Sequence, residues 1–120
     1  MTVDIKVALV LIVAAAGCRA AEGSVIPGAS VARGKQSVAG FGCGSCHEIS
    51  GIRGAHGKVG PPLTDIATRS IIAGELANTP ENMVRWIRDP QAVEPNTAMP
   101  NLGVTEQTAR DMVAYLYTLR

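Results

Sequence analysis

Cys43, Cys46 and His47 stand together in "GCGSCHEIS", Gly42 to Ser50, a run otherwise made mostly of small residues. Residues of these types at this spacing can act as a redox dithiol, bind zinc, or hold a haem through both sulfurs with the imidazole on its iron. A thioredoxin-like dithiol needs no fixed residue after its second cysteine and normally follows a strand in an α/β chain. Nothing before Cys43 reads as such a strand. Zinc takes four nitrogen or sulfur ligands, and beyond this trio the chain offers only Cys18 and His56. Cys-x-x-Cys-His is the attachment pattern of c-type haem, because two sulfurs one turn apart reach two vinyl groups on one porphyrin edge. The next residue then falls beneath the iron, so the spacing favours haem over the other two.

With His47 on one side, the ligand on the other side decides whether the iron carries electrons or does chemistry. His56, Met83, Met99 and Met112 are the candidates. Met83 and Met112 fall on apolar helix faces and read as flexible core fillers. His56 lies in a hydrophilic loop only a few residues after the cysteines, too close along the chain to reach the opposite face easily. Met99 sits in "PNTAMPNLG", far from His47 in sequence, where Pro95 and Pro100 restrict the backbone. A thioether there is presented to a metal rather than to a core, and a soft neutral ligand opposite histidine raises the haem potential.

The elements that must position these groups are helical. Ser30 to Ala39 places Val31 and Val38 on one face, with Gly34 where a second helix could approach closely. Gly51 to Gly60 carries four glycines and no apolar periodicity, and reads as a loop. Thr79, Pro80 and Glu81 form a helix start, Met83, Val84 and Ile87 give that helix its apolar side, and Pro90 stops it. Thr105 caps the last helix, in which Ala109, Met112, Val113, Leu116 and Leu119 follow the helical period. No alternating strand pattern is convincing, so the expected class is all-α, three to four helices wrapped around one covalent haem.

The 120 residues allow a leader and one domain, expected as 1–21, a tether over 22–29, and the domain over 30–120. The net charge of +1, with no basic run or P-loop, argues against a nucleic-acid partner. Val7 to Gly17 is apolar, follows Lys6, and is shorter than the ~20 residues a membrane span needs. It reads as the core of an export signal. Cys18 follows in "AAAGC", which resembles a lipoprotein cleavage box with Ala15 where leucine is usual. Lipidation of Cys18 would anchor the domain on the periplasmic side; cleavage after Ala20 or Ala21 would discard it, and an uncleaved leader would itself be the anchor. The Gly/Ser/Pro-rich 22–29 stretch would be flexible. One Trp, one Phe and two Tyr make a thin core, so the haem is expected to complete the fold as well as serve it.

From about Gly34 to Leu119 the chain resembles a class I, mitochondrial-type cytochrome c, and is most similar to the cytochrome c domain fused to subunit II of certain haem-copper oxidases. The segments CxxCH, "GPPL", "NTPENMVRWIRDPQ", "AMP" and "VAYLYTL" occur in that family's order. The resemblance implies that the Pro61 carbonyl accepts a hydrogen bond from His47 Nδ1, that Arg69 and Trp86 line the haem pocket, and that Thr97 approaches a propionate. It also implies that Gly34 and Tyr115 meet where the first and last helices cross; Val38 stands where an aromatic often packs there. The copper domain and membrane hairpin of subunit II are not in this sequence, so a free-standing cytochrome is expected. The implied function is a monomeric one-electron carrier, not an enzyme, taking electrons from a bc-type reductase or other donor and passing them to a haem-copper oxidase or other acceptor. A haem enzyme or ligand sensor with a displaceable methionine, and a permanent redox subunit of an oxidase, are the alternatives.

Overall fold

The computed structural model describes residues 24–120; the leader, Cys18 and the first two residues of the 22–29 stretch lie outside the described residues. Among them four α-helices run in order, α1 Val31–Gly40, α2 Pro80–Arg88, α3 Pro90–Val93 and α4 Glu106–Leu116, with single 3-10 turns at Cys43–Ser45 and Ile66–Thr68. None of these helices is long and apolar enough to cross a membrane.

Each longer helix begins where a side-chain oxygen can satisfy a free N–H. Ser30 Oγ accepts from Arg33 N–H at 3.3 Å, Thr79 Oγ1 from Asn82 N–H at 3.2 Å, and Thr105 Oγ1 from Thr108 N–H at 3.2 Å. Pro80 fills the first position of α2, with Glu81 in its first turn and Arg85 and Arg88 in its last, as the helix dipole favours. Pro90 ends α2 as expected, but it also opens α3. Asp89 closes one helix and caps the other, accepting from Ala92 N–H at 3.4 Å.

The core forms where α1 and α4 cross and α2 packs against α4. Val38, Met83, Ile87, Ala109, Met112, Val113 and Leu116 are buried there with Ile49, Ile66 and Ile72. Burying such side chains contributes about 1.5–3 kcal/mol each. The crossing is tight at Gly34, where an added Cβ would lie 3.0 Å from Tyr115 Cβ and far closer to the α4 backbone.

Three features depart from the sequence expectation. Ile71–Ile72 and Leu76–Ala77 pair as a small antiparallel hairpin, β1 and β2, with Ile72 opposite Leu76. Two-residue strands are too short for alternation to show. Helix α4 stops at Leu116, and Leu119 reaches the core from a following turn, its carbonyl accepting from Ala67 N–H at 3.1 Å. Finally, the described part of the expected tether is packed rather than loose. Ile26 is buried in the core, Arg110 donates to the Pro27 carbonyl at 2.8 Å, and Gln107 donates to the Gly28 carbonyl at 3.3 Å. One buried isoleucine and two hydrogen bonds from α4 hold a segment that its glycine, serine and proline content marks as loose.

Asp111 is the buried charged side chain among the described residues, 4% exposed. Its carboxylate accepts from Ser30 N–H at 2.7 Å, from Arg33 at 2.7 and 3.0 Å, and from Gln107 at 3.1 Å. Burial alone would raise its pKa, but the hydrogen bonds from Arg33, Ser30 and Gln107 outweigh it and hold the carboxyl below its usual range. The cap of α1 is thereby fastened to α4.

Candidate functional site

The turn after α1 is set by Gly42, whose φ of 74° is open to glycine at little cost. From there the chain winds once, and the N–H groups of Cys46 and His47 both donate to the Cys43 carbonyl, at 3.2 and 3.0 Å. A second segment straps this turn in place. Gly57 N–H donates to Gly44 O at 3.0 Å, Gly60 N–H to Cys46 O at 2.8 Å, and Leu63 N–H to Glu48 O at 2.8 Å. The glycine-rich loop is a loop for a packing reason: a Cβ on Gly60 would lie 2.3 Å from His47 Cε1.

Pro61, next to that glycine, presents its carbonyl oxygen 2.7 Å from His47 Nδ1. A carbonyl only accepts, so Nδ1 carries the proton and Nε2 keeps its lone pair for a ligand bond. Cys43 and Cys46 form no disulfide with each other. Burial pushes the Cys43 thiol up, with the neighbouring Cys46 acting in the same direction against a backbone hydrogen bond. At Cys43 this is the reverse of the lowered value that an activated nucleophilic thiol requires. Nor do three or more His, Cys, Asp or Glu gather to hold a metal ion among the described residues.

These groups open onto a cavity of about 680 Å³, within the size range of cofactor pockets. Its wall is largely apolar and includes buried Val38, Ile66, Met83, Ile87 and Met112. Cys43, Cys46, His47, Pro61, Arg69, Trp86, Thr97 and Met99 all border it. Met83 and Met112 border it too, from the buried side, whereas His56 is exposed, bridged to Glu48 and away from the cavity.

Arg69 is held at the cavity by donating to the Pro62 carbonyl and to Asp65 Oδ1, the latter at 2.7 Å. Asn78 supports that segment, donating to the carbonyls of Ile66 and Arg69 at 2.8 Å each, and itself accepts from Tyr117 Oη at 2.6 Å. Met99 is partly buried against the core. Its N–H donates to Thr97 Oγ1 at 3.2 Å, and its carbonyl accepts from Gln91 Nε2 at 2.8 Å. Gln91 and Asn78 escaped the sequence reading, because a hydrogen bond to a loop carbonyl leaves no periodicity or motif. Phe41, Val59, Ile71 and Leu102 also border the cavity while 39%, 74%, 50% and 42% exposed, so its mouth is an apolar rim.

Comparison with known proteins agrees with this geometry. The family model described as Cytochrome c matches residues 31–120. The chain is 35% identical over 89 residues to a cytochrome c oxidase subunit 2 of Alkalihalophilus pseudofirmus, covering 73% of this chain and 25% of that protein. It is 31% identical over 94 residues to a protein of the same name from Bacillus sp. strain PS3, covering 75% of this chain and 26% of that one. The chain thus spans about a quarter of the length of these relatives. A Cys-x-x-Cys-His turn, a histidine oriented by a proline carbonyl and a family match over the whole helical domain agree: the chain belongs to the cytochrome c family, whose members are haem-bearing electron carriers.

Proposed function

We propose that this chain is a one-electron carrier holding a single haem c through thioether bonds from Cys43 and Cys46, with His47 and Met99 as axial ligands. What supports this most is that two thiols, an imidazole with its Nδ1 already engaged, and a thioether all border one apolar cavity. The residues fit the group: the donors are those that soft and borderline iron ligation uses, and the cavity wall is apolar where a porphyrin is apolar.

Bound there, the haem supplies a one-electron couple. The chain's own residues do the rest. The Pro61 carbonyl fixes the tautomer and orientation of His47, and the Cys43–His47 turn is held by backbone bonds to Gly57 and Gly60. The apolar wall excludes water, which favours the less charged, reduced state. Arg69 and Thr97 border the cavity as the polar groups available to the propionates. His47 and Met99 would together hold the iron and leave it no open position for a substrate, so the chain would act as a carrier rather than an enzyme.

The exposed rim of Phe41, Val59, Ile71 and Leu102 is where a redox partner comes close to the cavity, in a small and transient contact. A bc-type reductase as donor and a haem-copper oxidase as acceptor suit the likeness to oxidase subunit 2 proteins. The leader and Cys18 would place the domain on the periplasmic side, tethered by lipid. The same likeness favours one second reading, permanent membership of an oxidase complex; co-purification with an oxidase in mild detergent separates it from a mobile carrier.

Optical spectroscopy of the purified holoprotein tests the proposal. A weak sulfur-to-iron charge-transfer band near the red end of the oxidised spectrum is expected, and slow carbon monoxide binding when reduced. Rapid carbon monoxide binding with no such band would mean an open haem, and the carrier reading would be abandoned for a sensor or enzyme.

A further inference from the structure

We infer that Gln91 is a positioning residue that sets how often Met99 releases the iron, an inference that rests on the His47/Met99 ligation proposed above.

Helix α3 is a fixed pedestal for Gln91. Pro90 is fully buried and Val93 is buried, Asp89 Oδ1 caps the helix through Ala92 N–H, and Glu94 N–H donates back to Pro90 O at 2.8 Å. Beyond it the chain is bonded step by step, Thr97 N–H to Glu94 O at 3.0 Å and Asn96 N–H to Glu94 Oε1 at 3.0 Å. The Met99 N–H reaches only Thr97 Oγ1, two residues away, so that bond travels with the loop if the loop swings. The bond from Gln91 Nε2 to the Met99 carbonyl is different in kind. It spans eight residues and joins the tip of the loop to the pedestal.

Pro95 and Pro100 restrict how the loop bends without offering an N–H of their own to pin it. Swinging Met99 out of the cavity therefore requires the Gln91 bond to break, while the local bonds can persist. Both partners can be rehydrated once apart, since Gln91 is exposed, so the latch is modest in strength. Losing it should raise the population of the open loop about fivefold, the worth of one ordinary neutral hydrogen bond. The choice between a closed carrier and a ligand-binding haem would then be tuned by a side chain that touches neither haem nor iron.

The test is the limiting rate at which saturating imidazole replaces the thioether in the oxidised holoprotein, a rate set by Met99 departure. Gln91→Ala should exchange about fivefold faster than the parent protein, and Gln91→Glu, which sets an acceptor against an acceptor, at least as fast. Gln91→Arg keeps a donor and should return close to the parent rate and the parent urea midpoint, while the midpoints of Gln91→Ala and Gln91→Glu should fall by no more than one lost hydrogen bond accounts for. Exchange by Gln91→Ala at the parent rate would overturn the inference, as would Gln91→Arg failing to restore it. Absence of the sulfur-to-iron band in the parent protein would instead remove the ligation itself, and this inference with it.

Discussion

A Cβ placed on Gly34 would lie 1.8 Å from the main-chain carbonyl oxygen of Asp111, inside the atom rather than against it. The obstacle is backbone on both sides, so neither helix can yield by turning a side chain. Gly34→Ala must push α1 away from α4, and since the cysteine turn follows α1 directly, it should disturb the site as well as the fold. A loss of about 3 kcal/mol or more is expected, seen as a melting point lowered by at least ~10 °C. An unchanged melting point would mean that the crossing is looser than described.

Asp111 also governs stability in acid. Its folded pKa is depressed, so its contribution is fully present above the unfolded value of about 3.9 and is lost as pH falls through the folded value. Arg33 is largely exposed, so the ion pair is screened and the backbone bond to Ser30 matters more. Asp111→Ala should cost about 2–3 kcal/mol near neutrality, and urea titrations should show that difference shrinking below the carboxylate range.

Two tyrosines set the opposite limb. Burial raises Tyr115 and Tyr117, the latter helped by the charge of Glu81. Their stabilisation is present below the unfolded value of about 10 and is lost as pH rises through the folded values. Tyr115 Oη donates to the Ser50 carbonyl at 2.6 Å, so Tyr115→Phe should cost about 1 kcal/mol at neutral pH. Urea titration of the reduced protein should show it losing less stability than the parent above pH ~10.

Gly60→Ala separates the site from the fold. The new methyl would collide with the His47 ring, so the visible spectrum and midpoint potential should change while far-UV circular dichroism stays close to the parent's. Equal spectra would show that the ring has room to move.

The site is also expected to hold the fold up. The apolar cavity of about 680 Å³ reaches the core residues Val38, Met83 and Met112. Left without haem, it forfeits their contacts. Cys43→Ala with Cys46→Ala should therefore be largely unfolded; native-like far-UV circular dichroism in that variant would contradict a structural role.

What could be read in the sequence was local. Ser30, Thr79 and Thr105 cap helices because a hydroxyl at that position satisfies a nearby N–H, and the five residues from Cys43 to His47 carry their own geometry. Gly34 was legible because only a close helix crossing asks for glycine in mid-helix. What escaped depends on contacts far along the chain. Ile26 is buried in a core built mostly from residues far along the chain, the Ile71–Ala77 hairpin is too short to show a period, and Gln91 matters only because a loop carbonyl lies within reach. Cys18 falls outside the described residues, and intact mass of the exported protein is its test: a diacylglyceryl adduct on Cys18 is expected, and a chain starting at Ala21 or Glu22 would rule it out.

The most direct measurement is redox potentiometry of the parent and Met99→Ala holoproteins, with the oxidised spectrum recorded alongside. Thioether ligation requires the variant to lose the sulfur-to-iron band and to fall clearly in midpoint potential. Identical spectra and potentials in the two proteins would show that Met99 is not on the iron, and a closed electron carrier would no longer describe this chain.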